Sequence, residues 1–260
     1  MMLCDIGVNL TNSRFKEDLF EVVGAARSAG VVKQIITGTN VYESQAATKL
    51  TQQFDGVYAT AGVHPHDAAN VENDFAEQLK SLYSHPHVVA VGECGLDFNR
   101  NFSPPEAQKS VFEAQLQLAS EFNMPLFLHE RDAFDTQIAM LKQFPRAFGV
   151  AHCFTGDTAQ LKAYLDLGLY VGITGWLCDP KRGDALREAV KYLPLERLLV
   201  ETDAPYLVPK NVPGKKRRNE PKYLSYVIDV LAELLVVSST TIAENSWRNS
   251  HQLFGLNTNA

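Results

Sequence analysis

Cysteine is scarce in this chain. The four in 260 residues, Cys4, Cys94, Cys153 and Cys178, form no CxxC pair and no close-set framework. That excludes a disulfide scaffold and zinc-finger spacing, and predicts reduced thiols in a cytoplasmic protein. Long hydrophobic runs are lacking too. The opening MMLCDIGVNL has no basic stretch and carries an acid at position 5, and the apolar segment VLAELLVV is short and broken by Glu233. Neither a signal peptide nor a membrane span is expected. Positive charge is not in excess: a formal net charge of -6 argues against a wholly basic nucleic-acid binder, while leaving room for a local basic patch. No low-complexity or linker-like stretch interrupts the sequence, so residues 1–260 are expected to form one domain.

What is present is alternation. Strand-like runs begin near Leu3, Val31, Val57, Val88, Pro125, Phe148, Tyr170 and Leu198. Nearly every one is followed by apolar residues at helical spacing, as in Leu19, Val22, Val23 and Ala26, or Leu224, Val227, Ile228, Leu231, Leu234 and Leu235. Eight such units predict an α/β fold, a TIM-like (β/α)8 barrel with an additional C-terminal helix. An open doubly wound sheet is the alternative, but no GxGxxG follows the first strand. Ser103, Pro104, Pro105 and Glu106 predict a helix capped by Ser103 and running to about Asn123. Further helices are expected at 222–235 and 239–254, the second capped by Ser238 or Ser239.

Four ligand-type residues close four of the runs: VVAVGE (88 to 93), PLFLH (125 to 129), FGVAH (148 to 152) and LLVETD (198 to 203). In a parallel α/β fold the carboxyl ends of strands converge on one mouth, so Glu93, His129, His152 and Asp203 are expected to meet there. Two imidazoles and two carboxylates point to a divalent metal that activates water. Residue type alone does not choose among magnesium, manganese, zinc and iron. Strand alternation turns Cys94 and Cys153 away from the mouth, as packing residues.

Other residues would surround that mouth. His64 and His66 follow the third strand in AGVHPH, placed to bind phosphate or protonate a leaving group. Arg131 shares the side of His129 and suits a bidentate phosphate contact; pairing with Asp132 or Asp135 is the structural alternative. Lys215, Lys216, Arg217 and Arg218 form a basic run after the last strand, where such barrels commonly hold phosphates. Phe98, Phe102, Phe154, Trp176 and Tyr206 lie just past strand ends, as stacking or packing side chains.

The runs GVHPH (62 to 66), VGECGLDF (91 to 98), PEAQKSVFEAQLQLA (105 to 119), LHERDA (128 to 133), AHCFTG (151 to 156), ETDAPYLVP (201 to 209) and KKRRNEP (215 to 221) resemble the TatD family of metal-dependent deoxyribonucleases across essentially the whole chain. The resemblance implies a barrel of the metallo-hydrolase type and magnesium-dependent 3′ to 5′ exonuclease action on single-stranded DNA, with RNA as a second substrate and Mn2+ or Zn2+ as alternative ions. No membrane and no obligate protein partner are implied. The family usually opens with an Asp-x-His-x-His pattern; the matching residues are Asp5, Gly7 and Asn9, and glycine offers no ligand while asparagine offers only a weak carbonyl oxygen. One firmly held ion is therefore expected, with a second weak or absent. Glu93 shares in both metal positions, Asp203 is freed to act as base and Glu201 orients from the same strand parity. Two rival readings are a metallo-hydrolase of amides, lactones or aminoacyl esters, and a non-catalytic nucleic-acid-binding barrel.

Overall fold

The aliphatic runs become strands and the helical-period segments become helices, in strict alternation. The computed structural model describes residues 1–257. Its strands are β1 (Leu3–Val8), β2 (Val31–Ile36), β3 (Val57–Ala61), β4 (Val88–Asp97), β5 (Leu126–Arg131), β6 (Gly149–Ala151), β7 (Tyr170–Ile173) and β8 (Leu198–Val200). The helices are α1 (Leu19–Ser28), α2 (Val41–Leu50), α3 (Phe75–Tyr83), α4 (Pro105–Phe122), α5 (Phe134–Leu141), α6 (Thr158–Asp166), α7 (Asp184–Val190), α8 (Leu224–Leu235) and α9 (Ser239–Phe254). The strands form one eight-stranded sheet in chain order, and a parallel bridge from Val8 to Ala204 links the end of β1 to the segment after β8. This is the strand order of the (β/α)8 barrel. Among the described residues, no single helix is long and apolar enough to cross a membrane.

The chain divides into two compact units, one of residues 36–152 with 167–169, the other of 1–35, 153–166 and 170 onward. In the first, β3 to β6 pair in parallel. Val91, Leu96, Leu116, Leu126 and Phe127 are fully buried there. Helix α4 carries two buried glutamines seven residues apart, hence on one face. Gln115 accepts from Val63 N at 2.8 Å and donates to Val63 O at 2.9 Å, while Gln108 does the same for Asp97 at 2.8 and 2.9 Å. Buried peptide groups at a strand end need partners, and each side-chain amide acts as a short substitute strand. These two clamps fix the backbone beside His64 and at Asp97.

Two sequence expectations are corrected here. Glu93 does not close its strand, because β4 continues to Asp97. The register against β5 slips between Gly92 and Cys94, so Glu93 sits in a bulge, the device by which a strand re-aims one side chain. Nor does Ser103 cap α4: Pro104 occupies the cap position, and the Ser103 hydroxyl donates to His66 O at 2.8 Å and accepts from Ala69 N at 2.9 Å. The serine thus holds the turn that carries His66.

In the second unit, β7 pairs in parallel with β8, and α8 buries Leu224, Val227, Ile228 and Leu231. Ser238 caps α9 by accepting from Thr241 N at 3.0 Å, as expected. On α9, Ser246 accepts from Val200 N at 3.1 Å and Asn249 donates to Leu198 O at 2.8 Å, so the final helix closes the open backbone of β8.

Candidate functional site

In the unit of β3 to β6, one carboxylate oxygen collects three imidazoles. Oε1 of Glu93 lies 3.0 Å from Nδ1 of His129, 3.1 Å from Nε2 of His152 and 3.4 Å from Nε2 of His64. A second carboxylate extends the chain of contacts: Oδ2 of Asp97 is 2.7 Å from Nε2 of His66 and 3.4 Å from Nε2 of His129. The register explains the grouping. Gly95 pairs with His129 and Asp97 with Arg131, so Glu93, Asp97 and His129 alternate onto one face of two neighbouring strands.

Burial pushes Glu93 up, but His64, His152 and His129 outweigh it and hold the carboxyl well below the usual range. Asp97 behaves likewise: hydrogen bonds from His129, Arg100 N and His66 overcome burial and lower it. Both acids are therefore anionic at neutral pH. Burial depresses His64, whereas His129, also penalised by burial, is raised on balance by Asp97 and Glu93.

Tautomers separate the roles of these rings. His129 turns Nε2 toward Asp97 and Nδ1 toward Glu93, so a proton kept on Nε2 leaves the Nδ1 lone pair available. That carboxylate–histidine pairing is the usual support of a metal-binding imidazole. His64 is set the other way: its Nδ1 accepts from His66 N at 3.0 Å, which puts the proton of the neutral ring on Nε2, the atom facing Glu93. Ligand-type atoms of His64, Glu93 and His129 all lie within 4.8 Å of one another, a spacing that fits a divalent cation. By tautomer, however, His64 turns an N–H, not a lone pair, toward Glu93.

Asp203 and Glu201 lie in the other unit. Asp203 follows β8 in a left-handed conformation, φ 53°, and its Oδ1 accepts from Asn9 Nδ2 at 3.0 Å. Asn9, foreseen only as a feeble ligand, is instead the donor that orients this carboxylate. Asp5 is fully buried, accepting from Thr202 N at 2.9 Å and Thr202 Oγ1 at 2.5 Å, and burial pushes its carboxyl up to about 8. Glu201 is also buried and accepts from Cys153 N at 2.5 Å. None of the four cysteines forms a disulfide, and burial pushes the Cys4 thiol up to about 12, consistent with packing.

The basic run is split in its use. Lys215, Lys216 and Arg217 are exposed, whereas Arg218 forks onto Asp18 and pairs with Glu220 at 3.4 Å. Arg131 is exposed at the end of β5, and among the described residues it forms no ion pair with Asp132 or Asp135. Of the aromatics, Phe154 is buried against Tyr164 and packs, while Phe102 is exposed with its ring 4.8 Å from that of His66. Asp97 was missed by sequence reasoning. The signal was available in its i+4 relation to Glu93, hidden because the strand was taken to stop at the first acid.

Imidazoles and carboxylates gathered along a (β/α)8 sheet define a metal-dependent hydrolase of the barrel class. The family model for TatD-related DNases matches residues 4–255, and the chain belongs to that family. It is 48% identical over 259 residues to the 3′-5′ ssDNA/RNA exonuclease TatD of Klebsiella pneumoniae, covering 98% of each chain. It is 46% identical to the protein of the same name from Escherichia coli K12, covering 97% of this chain and 98% of that one. Among solved structures, YJJV, a TatD homologue from E. coli K12, superposes with a TM-score of 0.90 at 30% identity over 98% of both chains.

Proposed function

We propose that this chain is a divalent-metal-dependent 3′ to 5′ exonuclease of single-stranded DNA and RNA. The observation that carries the reading is the convergence of His64, His129 and His152 on one oxygen of Glu93, in a chain closely similar to proteins named for that activity. Glu93, His129 and His152 would hold one firm ion, Mg2+ first and Mn2+ or Zn2+ as alternatives, with Asp203 as a further ligand or base. Such an ion supplies a lowered water pKa and polarises the phosphoryl oxygens.

The chain's own residues do the rest. Asp203, oriented by Asn9, takes the proton of the attacking water. His64, kept neutral by burial and protonated at Nε2, donates to a phosphoryl or leaving-group oxygen. His66 and Arg131 add positive or N–H character at the phosphate, and Lys215, Lys216 and Arg217 meet the strand backbone, while Arg218 secures their loop to Asp18. Glu201 orients the Cys153 backbone just past His152. A family match running unbroken from residue 4 to 255 supports the reading that both units work as one catalytic domain, and four cysteines outside any disulfide support a cytoplasmic setting.

The test is release of mononucleotides from end-labelled single-stranded DNA, duplex DNA and RNA under metal titration, with a generic ester as control. Chelator-sensitive shortening from the 3′ end, preferring single strands, is expected. Ester cleavage without nucleotide release would overturn the proposal.

A further inference from the structure

Beyond the metal centre, the unit of β7 and β8 holds a pocket of about 440 Å³ between the loops that follow these two strands. After β7 a short 3-10 turn, Gly175–Cys178, presents Trp176, and the chain then folds back through Asp179 to Arg182. Asp179 is 6% exposed. Its Oδ1 accepts from Lys181 N at 2.9 Å and Arg182 N at 3.2 Å, and its Oδ2 takes Nε and Nη2 of Arg182, each at 2.9 Å. The guanidinium is thereby held over the indole, with Cζ 4.1 Å from the Trp176 ring centre, while Trp176 Nε1 donates to Arg182 O at 3.2 Å. From α7, Arg187 braces the same segment by donating to Leu177 O and Asp179 O, both at 2.9 Å.

The Arg182 side chain is nevertheless 51% exposed. The indole and Asp179 cover part of the group, and half of the side chain stays open to solvent. The loop after β8 closes the other side of the pocket and contributes Lys210, Lys215 and Lys216. The two loops pack tightly: a Cβ on Gly175 would come within 2.3 Å of Leu207 O, so only glycine fits there. The single acid in the wall is already neutralised by Arg182, which leaves a pocket that is cationic and has one pre-ordered guanidinium in its lining.

We propose that this pocket binds an unpaired nucleobase of a single-stranded nucleic acid, the base stacking on Arg182 and the flanking phosphates meeting Lys210, Lys215 and Lys216. Planar stacking on guanidinium and cationic contact to phosphate are the two elements of sequence-tolerant single-strand binding, and the volume lies in the range of small-ligand sites. The choice of ligand class rests on the exonuclease reading; the geometry of the pocket does not.

The pocket can be tested without turnover. Trp247→Phe leaves Trp176 as the only tryptophan. Under chelation, a short oligothymidylate is expected to change its fluorescence saturably, and an abasic oligomer of equal length is not. Arg182→Lys keeps the charge but loses the plane, so it should weaken binding about tenfold, as should Arg182→Ala. Equal responses to both oligomers, or unchanged binding by Arg182→Lys, would overturn the site. Photocrosslinking of the unaltered protein to a 5-iodouracil oligonucleotide needs no variant: adducts within residues 175–182 support the site, and adducts solely elsewhere refute it. A parent protein that degrades no nucleic acid under metal titration would sink the exonuclease reading, while the fluorescence and crosslinking results would still decide the pocket.

Discussion

Asp97 holds His129 from behind: its Oδ2 lies 3.4 Å from Nε2 of the imidazole whose Nδ1 faces Glu93 at 3.0 Å. The same oxygen holds His66 at 2.7 Å, so one carboxylate sets two rings at once. Asp97→Asn retains an oxygen for the backbone donors at Asn99 and Arg100 but cannot accept from both rings. Metal affinity should fall about 10- to 100-fold, as when other supporting carboxylates are removed. Calorimetric titration of the purified protein with Mn2+ measures it, and unchanged affinity would show that Asp97 is only structural.

Tautomer predicts opposite behaviour for two histidines that both face Glu93. His129→Gln should lose metal affinity together with activity. His64→Leu should keep the affinity and lose turnover, because it removes an N–H donor and not a lone pair. Parallel metal titration and kcat measurement separate the cases, and loss of affinity in both variants would make His64 a ligand.

Gly95 stands where β4 passes closest to His129. Its φ is 138°, and a Cβ there would come 1.9 Å from the His129 carbonyl oxygen. Gly95→Ala must push the strands apart, at a cost of about 1–3 kcal/mol for an overpacked core site. Urea unfolding gives the cost, and metal affinity should drop with it because Glu93 and His129 sit on the displaced strands.

Asp5 makes folding stability depend on pH in an unusual direction. Its ordinary value is 3.8, and burial raises it to about 8 in the folded chain. Between those values the folded state keeps a proton that the unfolded state has released, so stability contributed by this group falls as pH rises from about 4 to 8. Thermal unfolding across that interval should show the decline, and Asp5→Asn should flatten it. An identical slope in the variant would assign the decline to other groups.

The basic loop should act on binding. Neutralising Lys215, Lys216 and Arg217 together should weaken single-strand affinity and reduce the logarithmic salt slope by about 2, at roughly 0.7 per phosphate contact. Arg218→Ala should lower stability by releasing Asp18 and leave that slope nearly intact. A variant series in which Arg218 alone moves the slope would reverse these assignments.

Much of the site was legible in sequence because strand ends are read from runs of aliphatic residues. Strands begin at Leu3, Val31, Val57, Val88, Tyr170 and Leu198 as expected, and at Leu126 and Gly149 one residue after expectation. Glu93, His129 and His152 come together although β4 and β5 run on past the first two, because the strands are parallel neighbours and the bulge turns Glu93 toward both rings. Asp97 was readable only through its i+4 relation to Glu93, because nothing local marks the bulge at Glu93 or the four-residue extension of β4. Nor was the cap at α4: Ser103 had a better partner in the turn at His66 than in its own helix.

Sequence by itself determined the alternation of strands and helices and the residue types at the strand ends, because burial and backbone propensity act over a few neighbours. Only the tertiary structure decided that Nδ1 of His64 is spent on His66 N, that Asn9 serves Asp203 and that Arg218 is spent on Asp18. Those outcomes depend on hydrogen-bond partners up to 200 residues apart, and a hydrogen bond is set by distance and direction in space, which no local pattern encodes.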